Sequence, residues 1–316
     1  MSNVLNRPSY VRSETRERVE SVIESLNFSP RQRSRQFRPG RVRTIGISVA
    51  NLDNPFFVDL ALSAEEVAHR HGLGVVICNS AYDPVRESQN LDLLVQQRVQ
   101  GIVISPIDEN SSGMEMLRGR GVPMVFVDRV GNNRDCWSVV IDDRIGGRLG
   151  ANHLINRGHR RIGFLGHPDR SLKVRNRLAG AQEAITRAPG QHTLEVLFAD
   201  SWTIEAGRAA AEELLQRAEI ERPTAVFCAN DMLALGLMQV YLQEGLSVPQ
   251  DLAILGYDNV IWGEVAQVPL TTVDQPRALL GSTAVEMLMK LIDSPAGQPT
   301  SNHVVLSPTL KIRESA

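Results

Sequence analysis

Several polar and aromatic side chains sit just beyond short runs of apolar, β-branched residues. Asn54-Pro-Phe-Phe57 follows Ile45–Val49 after a short turn, and Asp142 follows Val139–Ile141. Trp202 precedes a helical stretch that starts near Ile204. Asn230-Asp231 follows Ala225–Cys228, and Asp258 follows Ala253–Tyr257. Rings stack on the C–H face of a sugar, while amides and carboxylates hydrogen-bond its hydroxyls. This set of side chains therefore suits a polyhydroxylated ligand. Each residue also has a purely structural use. Phe56 and Phe57 are ordinary core residues, Asn230 and Asp231 can cap a helix, and Asp258 is a common loop residue. What points to a ligand is their shared position at strand ends.

Signatures of catalysis are missing. The chain has no Walker loop, no dinucleotide glycine fingerprint after its first strand and no nucleophile elbow. His69 and His71 are two apart on a helical stretch and do not share a face. Cys78, Cys136 and Cys228 are far apart and form no C-x-x-C pair. The expectation is a non-enzyme with no metal and no cofactor, in the reducing cytoplasm.

The elements that must position these residues alternate. Strands are expected at 45–49, 75–79, 102–105, 124–127, 162–165, 194–198, 225–228 and 253–257, with helical stretches between most of them. Such alternation gives parallel sheets covered on both faces. The number of units exceeds one small sheet, so the α/β reading is two consecutive lobes with a cleft at the strand ends. Hydrophobic content of 42% and aromatic content of 5% suit layers of Val, Ile, Leu and Ala. No uninterrupted apolar run reaches membrane-spanning length and the N-terminus is polar, so no membrane association is expected.

Net charge is −2, but unevenly spread. Residues 1–45 carry ten Arg and four Glu, a net of +6, which leaves −8 on the rest. A basic arm on an acidic body points to a polyanion partner for the arm; a solvated Arg-rich helix is the other reading. Residues 13–27 read as an amphipathic helix with Val19, Val22, Ile23 and Leu26 on one stripe. Residues 30–38 are basic and almost free of apolar groups, and Pro39-Gly40 breaks the chain.

Many of these stretches, in order, resemble the lactose-repressor/galactose-repressor (LacI/GalR) family of transcription regulators. Ser2-Asn-Val-Leu-Asn6 resembles the end of its recognition helix, Val11–Val19 its third helix, and Asn27-Phe-Ser-Pro30 the exit from its head. Further matches are Asn54–Phe57, Arg98–Ile102, Gly158–Ile162, Arg177-Leu-Ala-Gly180, Asn230-Asp231, Gly256-Tyr-Asp258, Pro269–Thr272 and Leu310–Arg313. The resemblance spans essentially the whole chain. It implies two Rossmann-like lobes of the periplasmic-binding-protein-like type, preceded by a partial all-α helix-turn-helix head and a hinge helix. The corresponding boundaries are 1–29 for the head, 30–41 for the hinge and 42–316 for the core. Within the core the N-lobe covers about 42–158 plus 275–300, and the C-lobe about 159–271 plus 302–316.

The resemblance also implies a homodimeric repressor that binds operator DNA under the control of a small, sugar-like effector. Phe56 and Phe57 would wall the effector cleft, with Asp142 lining it. Arg177 would donate to ligand oxygens, Trp202 would stack as a lid, Asn230 would donate and accept, and Asp258 would accept. Lys173 and Arg175 replace the small residues often found before Arg-Leu-Ala-Gly; their charge would favour an acidic ligand, or simply end a solvated helix. For DNA, Ser2, Asn3 and Asn6 would read bases. Arg31, Ser34 and Phe37 occupy the hinge positions, with Phe37 as minor-groove wedge and Arg31, Arg33 and Arg35 near phosphates. The family's first helix and most of its second, about 20 residues, would precede Met1, since a recognition helix needs such a scaffold. A start lying upstream is expected over a headless regulator. A stand-alone sugar-binding protein without DNA binding is the alternative.

Overall fold

The computed structural model describes residues 14–15, 43–129, 137–167, 171–293 and 303–316. The chain divides into two units, Met1–Arg43 and Thr44–Ala316. Within the first, Glu14 and Thr15 are helical.

In the second unit, strand and helix alternate as a doubly wound fold does. The first lobe begins with β1 (Thr44–Val49), α1 (Pro55–Arg70), β2 (Gly74–Asn79), α2 (Pro84–Gln96), β3 (Ile102–Ile104), α3 (Ser112–Gly119), β4 (Met124–Val127) and β5 (Trp137–Ile141). The second holds α4 (Asp143–Asn156), β6 (Arg161–Gly166), α5 (Leu172–Arg187), β7 (Thr193–Phe198), α6 (Ile204–Gln216), β8 (Ala225–Cys228), α7 (Asp231–Gln243), β9 (Ala253–Asp258), the short α8 (Ile261–Glu264) and β10 (Thr271–Asp274). The chain then returns to the first lobe through α9 (Arg277–Asp293) and β11 (His303–Leu306), and ends on β12 (Thr309–Lys311) in the second.

Each lobe has one six-stranded sheet, in the orders β11-β5-β4-β3-β1-β2 and β12-β10-β9-β8-β6-β7. All pairs are parallel except β10 with β12. The central strands are uninterrupted apolar runs, Val-Phe of β8 and Ile-Leu of β9 among them, because helices cover both of their faces. Each lobe closes its own apolar interior: Leu60, Val103, Val125 and Leu288 lie in one, and Phe164, Val226, Leu237 and Leu255 in the other.

The lobe boundary differs from the expected one in two places. Helix α4 was expected with the first lobe, yet Ala151 and Leu154 pack in the second interior. The cause is glycine. A Cβ on Gly147 would lie 1.9 Å from the carbonyl oxygen of Arg177, and one on Gly180 2.0 Å from that of Arg144. Bare backbones therefore let α4 and α5 touch. Second, β11 was expected with the C-lobe but pairs with β5 in the first sheet. The chain thus crosses between lobes after Ile141, after Asp274 and after Leu306. Among the described residues no helix is long and apolar enough to cross a membrane.

Candidate functional site

Arg177 stands one turn into α5, held by the glycine contact just described. Its Nε donates to Asp143 Oδ1 at 2.7 Å and its Nη1 to the Ala229 carbonyl at 2.6 Å. The guanidinium lies 3.6 Å from the Tyr257 ring centroid, and the Tyr257 hydroxyl donates to the same Asp143 oxygen at 3.1 Å. Burial pulls the guanidinium pKa down, but Asp143, Tyr257 and Asp258 together outweigh it and hold Arg177 firmly charged. Burial pushes the Asp143 carboxyl up, and Arg177 pulls it back.

Asp258 ends β9 with φ of 116°, and Asn259 follows with φ of 57°. Two consecutive non-glycine residues at positive φ are a strained bend of the kind kept at ligand sites. The bend is secured from outside: Asn259 Nδ2 donates to Asp274, and Arg313 Nη2 donates to Asn259 Oδ1 at 2.8 Å. Asp258 Oδ1 accepts from Gln275 Nε2 at 2.5 Å, and Oδ2 from Asn54 Nδ2 at 3.5 Å. Arg177 Nη1 is 3.9 Å away. Burial lifts the Asp258 carboxyl to about 6, with Arg177 and Lys173 opposing the rise. Asn54 belongs to the first lobe, Arg177 to the second and Gln275 to a crossing segment, so this carboxylate ties together all three.

Of these residues Asn54, Arg177, Ala229, Asp258 and Gln275 wall a cavity of about 200 Å³ between the two lobes. Of the residues expected to hold an effector, all except Asp142 line it. Phe56 and Phe57, edge to face at 5.0 Å, are both core and wall, so the two readings of these residues coexist. Asn230 likewise has two uses. Its Oδ1 caps α7 by accepting from Leu233 N, and its Nδ2 donates to the Trp202 carbonyl, which fixes the half-buried Trp202 at the rim. Lys173 Nζ pairs with Asp128 Oδ2 and lies 6.0 Å from the Phe57 ring centroid. Arg175 is exposed and outside the cavity wall.

Asp142 is the correction. Its Oδ1 accepts from Ile145 N and caps α4, while its neighbour Asp143 turns inward to Arg177. Both follow the same strand, and only the start of α4 decides which one faces in. Asp231 is fully buried behind the cavity rather than in its wall. Its carboxylate accepts from Thr272 Oγ1 at 2.6 Å and from Val260 N at 2.8 Å, and burial raises its pKa to about 8. The expected DNA-contacting residues Ser2, Asn3, Asn6, Arg31, Arg33, Ser34, Arg35 and Phe37 lie outside the described residues.

Wall residues that the sequence reading did not single out include Asn54, Tyr82, Asp128, Arg129 and Gln275. Asp128 follows β4 and is open to the same strand-end rule that found Asp258. Asn54 was quoted only with its motif; its Oδ1 caps α1 on Phe56 N. Tyr82 follows Ala81, both at positive φ, a conformation that its residue type does not announce.

The comparisons agree with this architecture. Residues 151–316 match a periplasmic binding protein-like domain, and residues 1–31 match the bacterial regulatory proteins of the lacI family. A transcriptional repressor named PurR from Mannheimia succiniciproducens is 31% identical over 316 residues, all of this chain and 93% of that protein. A LacI family regulator from Enterococcus faecium, solved with bound ribose, superposes with a TM-score of 0.78 at 28% identity, over 86% of this chain and 98% of that one. The lac repressor dimer bound to operator and an anti-inducer gives 0.76 at 29% identity, over 99% and 93%. With a periplasmic-binding-protein-like core behind a lacI-type N-terminal motif, the chain belongs to the lacI family of bacterial regulatory proteins.

Proposed function

We propose that this protein is a DNA-binding transcriptional repressor whose operator affinity is set by a small, sugar-like effector in the interlobe cavity. The observation that carries the effector reading is the meeting of Arg177, Asp258, Trp202 and the Phe56–Phe57 pair in one cavity between lobes. The lacI-type motif at residues 1–31 carries the DNA reading. A ligand touching both lobes favours the arrangement that closes on it, and coupling between effector and DNA follows from that difference in affinity. A homodimer, in the cytoplasm and without catalytic activity, fits relatives whose printed descriptions are repressors and a repressor dimer.

The roles divide by chemistry. Arg177 donates to ligand oxygens, Asp258 accepts from ligand hydroxyls, Trp202 stacks over the ring, and Phe56 and Phe57 present an apolar face. Asn230 acts chiefly by holding Trp202. In the arm, Ser2, Asn3 and Asn6 read bases, and Arg31, Arg33, Ser34, Arg35 and Phe37 engage backbone and minor groove.

Two measurements test this. Selection from a random duplex library with a form of the protein carrying an intact helix-turn-helix head should enrich a palindromic site, bound more weakly as salt rises. Failure to enrich any site would leave the stand-alone sugar-binding alternative. A thermal-shift screen should then find a sugar that stabilises the chain by about 2.7 kcal/mol at 100 times its Kd. Trp202→Ala and Asp258→Ala should each abolish that gain; retention in both would refute the assignment of the cavity.

A further inference from the structure

The first lobe holds a group of polar side chains behind the cavity rather than in its wall. Helix α2 lies on one face of the sheet. A Cβ on Gly46 would meet Leu94 at 2.7 Å, so Leu94 sits over that point of β1. Leu91 and the fully buried Glu87 lie one and two turns nearer the N-terminus of α2, on the same face. The seven residues from Leu94 to Glu87 advance about 10 Å along the helix. They run toward the strand ends, because Glu87 Oε2 accepts from Ile107 N at 2.8 Å, beyond the end of β3. On that face Ser48 lies about 7 Å beyond Gly46 along β1. Ser80, whose N–H donates to the Val49 carbonyl, lies about 13 Å beyond it, at the end of β2. Glu87 therefore stands over the span between the two serines.

Three atoms of this group have no hydrogen-bond partner: Ser48 Oγ, Ser80 Oγ and Glu87 Oε1. Each side chain is at most 1% exposed and none lines the effector cavity. Buried polar atoms left alone are rare. Three of them, brought to one face from β1, the end of β2 and α2, are the lining that an interior water needs, since such a water makes about three hydrogen bonds. The other oxygen of Glu87 works on the cavity wall. Ser105, Pro106 and Ile107 belong to that wall. Glu87 takes the Ile107 N–H, while Arg129 Nη1 donates to the carbonyls of Pro106 and Ile107 at 3.3 and 2.8 Å.

From this convergence we propose that Ser48, Ser80 and Glu87 form a sealed site for interior water, and that Glu87 is a positioning residue. Anchored by that water through Oε1, it holds the 105–107 wall through Oε2. That this wall faces an effector rests on the function proposed above; the sealed site stands without it.

The test reads the wall directly, by hydrogen–deuterium exchange of Ser105–Glu109 in the full chain without added sugar. Glu87→Gln keeps an acceptor for Ile107 N and a donor for water, and should leave that exchange within about twofold. Glu87→Leu removes the acceptor and should speed it about tenfold, the equivalent of one lost buried hydrogen bond. Should Glu87→Leu not fold, Glu87→Met fills the same space with a flexible apolar chain and takes its place. Leu91→Ala, one turn along the same buried face, is the control: it should lower the unfolding midpoint at least as far and leave Ser105–Glu109 unchanged. Ser48→Ala and Ser80→Ala read the water. A bridged hydroxyl loses a hydrogen bond and the midpoint falls by about 2–4 °C, whereas removing a hydroxyl that stands alone raises it. Unchanged exchange in the Glu87 apolar variant, or an equal rise in Leu91→Ala, overturns the positioning role. A midpoint that holds or rises in either serine variant overturns the water site. Whichever of ribose, glucose and cellobiose stabilises the unmodified protein should bind Glu87→Leu about tenfold more weakly and Leu91→Ala within about twofold. If none of the three does, the effector reading fails on its own, and exchange and midpoints still decide this one.

Discussion

Replacing Gly147 by alanine should damage the effector site from a position that never touches it. The added Cβ would lie 1.9 Å from the Arg177 carbonyl oxygen, whereas ordinary contact begins near 3.4 Å. Helices α4 and α5 would have to part by about 1.5 Å, since a packed interior has no slack to absorb the atom. The Arg177–Asp143 bond of 2.7 Å spans the same two helices and would stretch beyond hydrogen-bond range. Overpacking alone costs about 1–3 kcal/mol. Loss of a charge-assisted bond between two buried groups adds roughly 1.5–3 kcal/mol. A total of about 4 kcal/mol should lower Tm by roughly 8–16 °C in a unit of this size. Calorimetry on the purified variant reads the stability, and calorimetric titration with the best sugar reads the site. Gly119→Ala is the control, since a Cβ there meets nothing within 4 Å. It should be neutral or slightly stabilising. A Gly147→Ala protein with unchanged Tm and unchanged sugar affinity would refute the claim that bare helix contact positions Arg177.

Two further outcomes follow from buried charge. Asp231 has a folded pKa of about 8, far above that of an unfolded carboxyl, so its stabilising contribution is complete below about pH 4 and is lost as pH rises through 8. Between pH 7 and 8.5 the urea unfolding free energy should fall by about 1 kcal/mol, and Asp231→Asn should flatten that slope; a rise with pH would contradict the assignment. Tyr257→Phe removes one donor to Asp143 while keeping the ring under Arg177, and should cost roughly 1.5–3 kcal/mol by denaturant unfolding. No change in the midpoint would mean that Arg177 alone satisfies Asp143.

Strand ends were the most legible part of the site, because apolar runs are easy to read and a parallel sheet delivers its ligand residues at their carboxyl ends. Asp258 and Trp202 were read in that way. Asp142 was misplaced because two adjacent aspartates follow one strand and the helix start, not the residue type, decides which is buried. Gln275 was missed because β10 begins Thr-Thr, a polar pair that conceals a strand whose first three residues are buried. Helix α4 was assigned to the wrong lobe because glycine reads locally as a weak helix former, while here it marks contact with a helix that begins sixteen residues later. The pairing of Lys173 with Asp128 joins residues 45 apart and leaves no trace in either neighbourhood.

Each lobe has an apolar interior of its own, and Val260, just after β9, reaches across into the first. The links between the lobes include the 3.5 Å bond from Asn54 to Asp258 and the apolar contact of Val260. Three thin spans of backbone serve as the axle. The architecture thereby separates endurance from adjustment: each half keeps an interior of its own while a separate set of contacts lines the gap between them.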